Sequence, residues 1–245
     1  MCGRFSLTAT PDEVRALLDY IEQPNFPPRY NIAPTQPVAV VTAGSGDRHF
    51  KLVRWGLIPS WVKDPESFTL LINARIETAA TKPSFRAAMR RRRCLVPASG
   101  FYEWQRGGGK GKTPYWLAPG DGKPFAFAGI WEEWSDPRGG EVATGAILTA
   151  EATADIASIH TRMPVVVEPE HYDAWLDTEN VKPQEAVARL VQNPGFFRAT
   201  AVSTLVNAVR NDGPELQRPA EPAAEPEEAP AEEGGKDDPD QLTLL

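Results

Sequence analysis

The residues with the most distinctive chemistry stand at the start of the chain, where Met1 and Cys2 precede Gly3-Arg4-Phe5. Residue 2 is small, so we expect the initiator methionine to be removed. Cys2 would then carry a free α-amine beside its thiol, a pair that condenses with an aldehyde to a Schiff base and closes a thiazolidine ring. The ordinary pKa of an α-amine is about 7.7–8.0, so roughly a tenth is neutral and nucleophilic at pH 7. The alternative is that Cys2 is a small buried hydrophobe.

The composition is typical of a globular protein with a sizeable core. The chain has 245 residues, 41% of them hydrophobic and seven of them Trp, which is enough for one large domain or two small ones. The lack of a long apolar run or a leader predicts a cytoplasmic protein without membrane segments. Cys2 and Cys94 make no disulfide framework, and the three histidines lack metal-ligand spacing, so neither a metal nor a cofactor is expected.

The net charge of −7 belongs to the end of the chain. Of 33 acids and 26 bases, residues 219–245 hold nine acids and one base, so residues 1–218 have a balance of +1. This body contains a basic cluster at Arg86 and at 90–93, which is more often a solvated helix face than a binding site. Nucleic-acid binding is not excluded, because it needs a local patch rather than a basic total.

The pattern of apolar residues predicts a mainly β domain over residues 1–218. Thr10, Pro11 and Glu13 form a capping-box signature for a helix from 11 to 20. Strands are predicted at 38–42, 49–53, 94–98, 101–105, 115–118, 125–134, 143–150, 165–167 and 200–204, and further helices at 83–92, 154–159, 170–176 and 183–191. Short spacings between strands favour an α+β fold, a mainly antiparallel sheet or open barrel flanked by helices.

From Pro219 onwards the sequence consists largely of Pro, Ala and Glu. Such a segment cannot bury enough apolar surface to order itself, so residues 219–245 are predicted to be a disordered acidic tail. Its last residues resemble the short clamp-binding peptides of bacterial replication proteins, with Gln241, Leu242, Leu244 and Leu245 as the contacts. The tail would then be a flexible leash to the sliding clamp. An incidental apolar C-terminus is the alternative.

Four separated stretches of sequence need a common explanation. They are Cys2-Gly3-Arg4-Phe5, Asn73-Ala74-Arg75-Ile76-Glu77-Thr78, Gly100-Phe101-Tyr102-Glu103-Trp104 and His160-Thr161-Arg162-Met163-Pro164. In this order they closely resemble the SRAP family, the SOS response-associated peptidases, which are understood as abasic-site processing proteins. Residues 30–34, 55–59, 202–203 and 206–207 fit the same pattern, so the resemblance covers roughly residues 2–218.

The resemblance implies a DNA-damage protein that binds single-stranded DNA and crosslinks itself to abasic sites. Cys2 would form a thiazolidine with the ring-opened C1′ aldehyde and shield the lesion from strand cleavage. Asn73 would orient Cys2, and Glu103 would serve Schiff-base formation and its reversal. His160 would assist opening of the deoxyribose ring, since the ordinary pKa of histidine lies near 6.5. The alternatives are a solvated strand residue for Glu103 and a structural histidine for His160.

The same resemblance, together with charge, suggests a track of DNA contacts. Arg4, Arg75 and Arg162 are candidates for phosphate or sugar contacts, and Arg86 would extend the track. Lys and Arg contacts of this kind make binding depend steeply on salt.

Two tryptophans are candidates for contacts with bases. Stacking of a base on an aromatic ring is worth roughly 1–3 kcal/mol, so Trp61 and Trp104 could stack bases or wedge the strand. Core packing is the alternative for Trp104, whose neighbour Glu103 would point to the opposite face of a strand. The full set of predicted DNA-binding residues is Gly3, Arg4, Asn31, Trp61, Arg75, Arg86, Trp104 and Arg162.

Two other functions stay open from the residues alone. In an N-terminal-nucleophile hydrolase the Cys2 thiol would attack an amide with its own α-amine as base, which predicts peptide turnover and autocatalytic loss of Met1. A non-enzymatic single-strand binding or clamp-associated module would bind undamaged and abasic strands alike. We rank the abasic-site trap above both and expect a monomer that acts at the nucleoid or the replication fork.

Overall fold

The computed structural model describes residues 2–44, 46–106, 111–136 and 139–220, with the backbone alone at Arg106. The elements in chain order are β1 (Arg4–Leu7), α1 (Pro11–Leu18), β2 (Arg29–Ile32), β3 (Pro37–Ala43), β4 (Arg48–Trp55), β5 (Asn73–Arg75), α2 (Ile76–Ala79), α3 (Arg86–Arg91), β6 (Arg93–Ala98), β7 (Gly100–Arg106), β8 (Lys112–Pro119), β9 (Phe125–Ser135), β10 (Glu141–Glu151), β11 (Arg162–Pro164), β12 (Val166–Val167), α4 (Tyr172–Leu176), α5 (Pro183–Ala188) and β13 (Phe197–Ala201). From residue 221 onwards, the predicted tail lies outside the described residues.

The strands form two sheets, which confirms the α+β class and the mainly antiparallel pairing. One sheet has five strands in the order β13-β8-β7-β1-β2, and all its pairs are antiparallel. In the other sheet β10, β4, β3, β6 and β9 are neighbours in turn. Because β9 pairs again with β10, these five strands close into a barrel. The expectation of an open barrel is therefore corrected, and β10 also runs parallel to β4 and β5.

Local sequence signals account for the first helix and the first hairpin. The Thr10 side chain accepts a hydrogen bond from the Glu13 backbone N–H, and the Glu13 carboxylate accepts one from the Thr10 N–H, so the capping box is confirmed. The helix ends at Leu18 instead of residue 20, because Asp19 adopts a left-handed φ of 51°. The strands predicted at 38–42 and 49–53 correspond to β3 and β4, which pair as an antiparallel hairpin.

Aromatic side chains join the two sheets. Phe5 of β1 packs edge-to-face on Trp55 of β4, with ring centroids 5.2 Å apart, and on Phe127 of β9 at 6.0 Å. Phe101 of β7 also contacts Phe127, at 6.2 Å. The strand that follows Cys2 is therefore fixed against the barrel by its own side chain.

One predicted helix is wrong, and the expectation of a solvated basic cluster is confirmed only in part. Residues 154–159 form turns, in which the N–H groups of Ile156 and Ala157 both donate to Thr153 O. The bonds from Ala157 to Thr153 and from His160 to Ile156 span four residues but are not consecutive, so no helix is propagated. The basic cluster is a solvated face at Arg86, Arg90 and Arg91, as expected, but not at its last two residues. Arg93 is 1% exposed and donates to four backbone carbonyls, while Arg92 pairs with Glu132 at 2.8 Å.

Candidate functional site around Cys2

Cys2 lies just before β1, beside the end of β7. Arg4 pairs with Tyr102, so the residues before Arg4 run alongside Glu103 and Trp104. Cys2 is fully buried, and its carbonyl accepts a hydrogen bond from Asn73 Nδ2 at 2.8 Å. Burial raises the pKa of the Cys2 thiol, and the charge of Glu103 adds to the rise. The thiol is therefore protonated at neutral pH.

Asn73 is brought to Cys2 by its place in β5. This strand lies parallel to β10, with Asn73 opposite Ile147 and Arg75 opposite Thr149. The two-residue period of a strand puts Asn73 and Arg75 on one face. Asn73 Oδ1 is buried and has no hydrogen-bond partner among the described residues. A spare acceptor therefore lies at the cysteine end of the site.

Glu103 is a buried carboxyl group on β7. It is 3% exposed, which contradicts the alternative of a solvated strand residue. Burial raises the pKa of Glu103, and the nearby charge of His160 opposes that rise. Glu103 thus interacts electrostatically with both Cys2 and His160. The Glu103 carboxyl keeps its proton to a higher pH than an exposed glutamate does.

His160 ends the segment of turns that precedes β11. Its Nδ1 lies 3.0 Å from both the backbone N and the backbone O of Arg162. Nδ1 can accept from the N–H or donate to the carbonyl, so it keeps a partner in either tautomer. The ring can therefore change its protonation state without losing its orientation, which suits proton transfer.

The side chain of Arg162 is held inside the site. Its Nη1 and Nη2 contact the two carboxylate oxygens of Glu77 at 2.7 and 3.0 Å, and Nη2 also donates to Thr149 O. Arg162 is only 14% exposed, whereas Arg75, two residues before Glu77, is exposed. These two predicted phosphate contacts therefore differ, because Arg162 is held by hydrogen bonds within the protein and Arg75 faces solvent.

The two candidate stacking residues are supported differently. Trp61 is 57% exposed and packs edge-to-face on Phe68, in a loop anchored by the buried side chains of Ile58, Val62 and Trp134. Trp104 is partly exposed, and its Nε1 donates to Asn207 Oδ1 at 2.7 Å. Trp104 is therefore not a core residue alone, since its indole is hydrogen-bonded to the end of the short 3-10 helix Thr204–Asn207.

Arg4 and Asn31 are used within the protein. Arg4 Nη1 donates to Asn31 Oδ1 and to Val206 O, both at 2.8 Å, and Arg4 Nη2 donates to Asn207 O. Asn31 is 1% exposed, and its Nδ2 donates to Val206 O and Asn211 O. Arg4 keeps the N–H of Nε and one N–H of Nη2 outside these bonds, so its contact with DNA stays a prediction, as does that of Asn31.

Arg86 and Gly3 complete the predicted set. Arg86 is exposed on α3, which packs against β6 and β9. Within the described parts of the chain, no hydrogen bond or ion pair connects it to the cysteine site. Gly3 is partly exposed beside Cys2. The structure thus brings Gly3 to the site and leaves Arg86 apart from it.

Sequence reasoning gave no role to three residues of the site. Thr149 is fully buried and accepts from Arg162, Glu77 forms the Arg162 ion pair, and Asn207 binds Trp104. Glu77 and Asn207 stand in the motifs quoted above, so a signal was present. Thr149 had none, because it reaches the site only through the pairing of β10 with β5 and β11.

Other kinds of site find no support in the described part of the chain. There, no three His, Cys, Asp or Glu side chains come together as metal ligands. A helix long and apolar enough to cross a membrane is not found among residues 2–44, 46–106, 111–136 and 139–220. A cleft of about 890 Å³ between α1, the start of β4 and α4 contains none of the predicted site residues.

The fold and the site define a class of protein: an α+β domain in which the second residue, a cysteine, lies with a buried carboxyl group, an amide and an imidazole. A family model described as SOS response associated peptidase (SRAP) matches residues 1–209. The chain belongs to this family.

Similar proteins carry a common name. The chain is 38% identical over 222 residues to the abasic site processing protein YoqW of Bacillus subtilis, covering 88% of this chain and 98% of that protein. It is 34% identical over 227 residues to the abasic site processing protein YedK of Escherichia coli, covering 89% and 100%. A crystal structure of a protein from Bacteroides thetaiotaomicron matches with a TM-score of 0.79 at 26% identity, covering 89% and 100%.

Proposed function

We propose that this protein processes abasic sites by binding single-stranded DNA and forming a thiazolidine crosslink through Cys2. The names of its relatives and its family membership support action on abasic sites. The observation that carries the crosslink is the setting of Cys2, whose carbonyl is held by Asn73 and whose thiol feels the charge of Glu103.

The chemistry needs one amine, one thiol and one aldehyde. A ring-opened abasic site exposes a C1′ aldehyde, and once Met1 is removed the α-amine of Cys2 adds to that carbon. Loss of one water gives the Schiff base. Sγ then adds to the same carbon while the thiol proton passes to nitrogen, so a C–S bond closes the five-membered ring. One water leaves in total, and no oxidant or metal is required.

The remaining groups move protons. Glu103 keeps a proton to higher pH than an exposed carboxyl, so it is suited to protonate the departing hydroxyl when the Schiff base forms. His160 takes the proton of the C1′ hydroxyl and returns one to the ring oxygen, which opens the deoxyribose. The spare acceptor on Asn73 binds the Cys2 amine and directs its lone pair towards C1′.

The loss of Met1 is part of the proposal. The family description includes a peptidase. Sγ of Cys2 attacks the Met1 carbonyl carbon, the C–N bond to Cys2 breaks to give a thioester and the free α-amine, which takes the thiol proton, and water then hydrolyses the thioester to release Met1 and restore the thiol. We propose that this autocatalytic step occurs once and frees the amine for the DNA reaction. Lyase-type chemistry is limited to forming and reversing the Schiff base.

The DNA-binding surface of the proposal combines rings and charges around Cys2. Trp61 and Trp104 supply partly exposed rings for bases, and Arg75 and Arg162 supply charges for phosphates. Arg86 extends the track outward. Gly3 allows the strand to approach the N-terminus closely, since it has no side chain.

Arg75→Gln is expected to weaken binding to undamaged single-stranded DNA and to flatten its salt dependence. Arg75 is exposed and contacts phosphate directly in the proposal, so the slope of log affinity against log salt should fall in magnitude by roughly 0.7. Fluorescence anisotropy from low to high salt measures both effects. Arg189→Gln, at the residue that follows α5, removes the same charge from a surface ion pair and is the control. An unchanged slope for Arg75→Gln would remove this residue from the phosphate contacts.

The proposed function is tested on a denaturing gel. Purified protein, with the loss of Met1 confirmed by mass spectrometry, is mixed with single-stranded DNA carrying one abasic site and no borohydride. A slow band with abasic DNA and none with undamaged DNA is expected. Absence of the band would refute the trap; peptide turnover in its place would favour the hydrolase, and equal binding of both strands without a band would favour a binding module.

The tail and the assembly state add separate proposals. Gln241, Leu242, Leu244 and Leu245 would bind the sliding clamp and bring the protein to the replication fork in the cytoplasm. Deletion of residues 241–245 is expected to remove clamp affinity, and unchanged affinity by surface plasmon resonance would reject the idea. The chain is proposed to act as a monomer, which light scattering of its DNA complex can check.

A further inference from the structure

The contacts of Arg162 leave few of its donors for DNA. A guanidinium has five N–H groups. Two are taken by the Glu77 carboxylate and one by Thr149 O. Arg162 Nε is buried and has no hydrogen-bond partner among the described residues, which leaves one N–H of Nη1 to meet a phosphate. Arg162 therefore offers a single directed contact instead of a freely moving charge.

Arg162 also supports the proton-transferring histidine. Its backbone N and O both lie 3.0 Å from His160 Nδ1. The same residue begins β11 and pairs with Glu151 of β10. The guanidinium and the imidazole are thus attached to one short strand, and a shift of Arg162 is transmitted to His160.

Glu77 fixes the outer end of this arrangement. It lies on α2, two residues after Arg75, and its carboxylate feels the charges of Arg162 and Arg75. Hydrogen bonds from Arg162 hold the pKa of Glu77 below its ordinary value, so the carboxylate is charged at neutral pH. Its negative charge also opposes the approach of a phosphate.

We propose that Glu77 is a positioning residue that aims Arg162 at one phosphate and, through the Arg162 backbone, holds His160 in register with the lesion. The proposal rests on the proposed abasic-site function. Glu77 orients Arg162, but it also weakens the electrostatic attraction of the surface for DNA, because its charge offsets that of one arginine. Removal of the Glu77 charge should therefore increase the affinity for DNA and decrease the crosslinking rate.

The test is Glu77→Gln, which keeps the size of the side chain and removes its charge. Undamaged single-stranded DNA should bind roughly two- to five-fold more tightly, with a salt slope steeper by up to roughly 0.7. The crosslinking rate at saturating abasic DNA should fall roughly ten-fold or more, since small misplacements of reacting groups are costly. Glu133→Gln is the matched control, because Glu133 is 43% exposed against 47% for Glu77 and also pairs with basic side chains.

Each outcome has one meaning. Tighter binding with slower crosslinking supports the proposal, provided that the melting temperature matches that of Glu133→Gln. Wild-type binding and rate for Glu77→Gln would overturn it, as would a loss of both together. The double variant Glu77→Gln, Arg162→Gln should crosslink as slowly as Arg162→Gln alone, and a further loss would contradict action through Arg162. If wild type itself forms no crosslink, the proposed function fails instead.

Discussion

Replacement of Cys2 by alanine is expected to reduce the covalent band to background while leaving affinity for undamaged single-stranded DNA unchanged. The thiazolidine needs Sγ, and a Schiff base without ring closure hydrolyses on the denaturing gel. The aromatic rings and arginines of the proposed DNA surface are not altered. The measurement is the fraction of abasic DNA shifted on the gel, next to anisotropy with undamaged DNA.

Cys94→Ala is the matched control for this experiment. Cys94 is also buried, in β6, where its sulfur lies against Gly129 of β9 and away from the site. Both variants lose one buried sulfur, so both should lose a similar amount of stability. Only Cys2→Ala should lose the crosslink. Equal crosslinking by the two variants would exclude Cys2 as the nucleophile, and unfolding of Cys2→Ala alone would make it structural.

Glu103→Gln is expected to slow crosslinking by roughly 10²–10⁴-fold, the usual contribution of a positioned general acid or base. Glutamine fills the same space but cannot deliver a proton. The wild-type rate should also depend on pH above the ordinary range of a carboxyl, because burial raises the pKa of Glu103. That limb of the pH profile should be absent from the variant. Single-turnover rates between pH 5 and pH 9 measure both effects.

The same substitution should not destabilise the fold at neutral pH. Since the pKa of Glu103 is raised in the folded state, the folded chain binds its proton more tightly, and stability falls as pH rises from the ordinary carboxyl pKa through the raised one. Glutamine removes that loss, so the melting temperature at pH 7 should equal or exceed that of wild type, by about 2–4 °C per kcal/mol. Glu141→Gln, an exposed β10 substitution, is the control. Normal crosslinking by Glu103→Gln would show that the carboxyl carries no essential proton.

The sequence predicts those parts of the fold that depend on residues close together along the chain. The capping box of α1 and the β3–β4 hairpin follow from short patterns and turn residues, so both could be predicted. Closure of the barrel could not be predicted from such patterns. It requires β9 and β10 to pair with each other while β9 also pairs with β6 and β10 also pairs with β4. Such register is set by packing between distant segments and leaves no local pattern.

The site divides in the same way. Recognisable motifs contain Cys2, Asn73, Glu103 and His160. In the structure Asn73 donates a hydrogen bond to the Cys2 carbonyl, and Glu103 interacts electrostatically with both Cys2 and His160. Arg4 and Asn31 are predicted DNA contacts, and the structure adds protein partners that the sequence does not show, because a charged or amide side chain looks the same in sequence whether it meets a phosphate or a backbone carbonyl. Only the position of residues 206–211 reveals their protein partners.

The anchoring of Arg4 bears on how the protein is made. Arg4, two residues after Cys2, is held by the carbonyls of Val206 and Asn207. A ribosome builds the chain from its N-terminus, and domains fold as units. The surroundings of Cys2 therefore cannot be completed until some two hundred residues have been translated and have left the exit tunnel. Throughout synthesis the start of the chain stays open to processing, and Cys2 reaches its folded surroundings only in the finished domain.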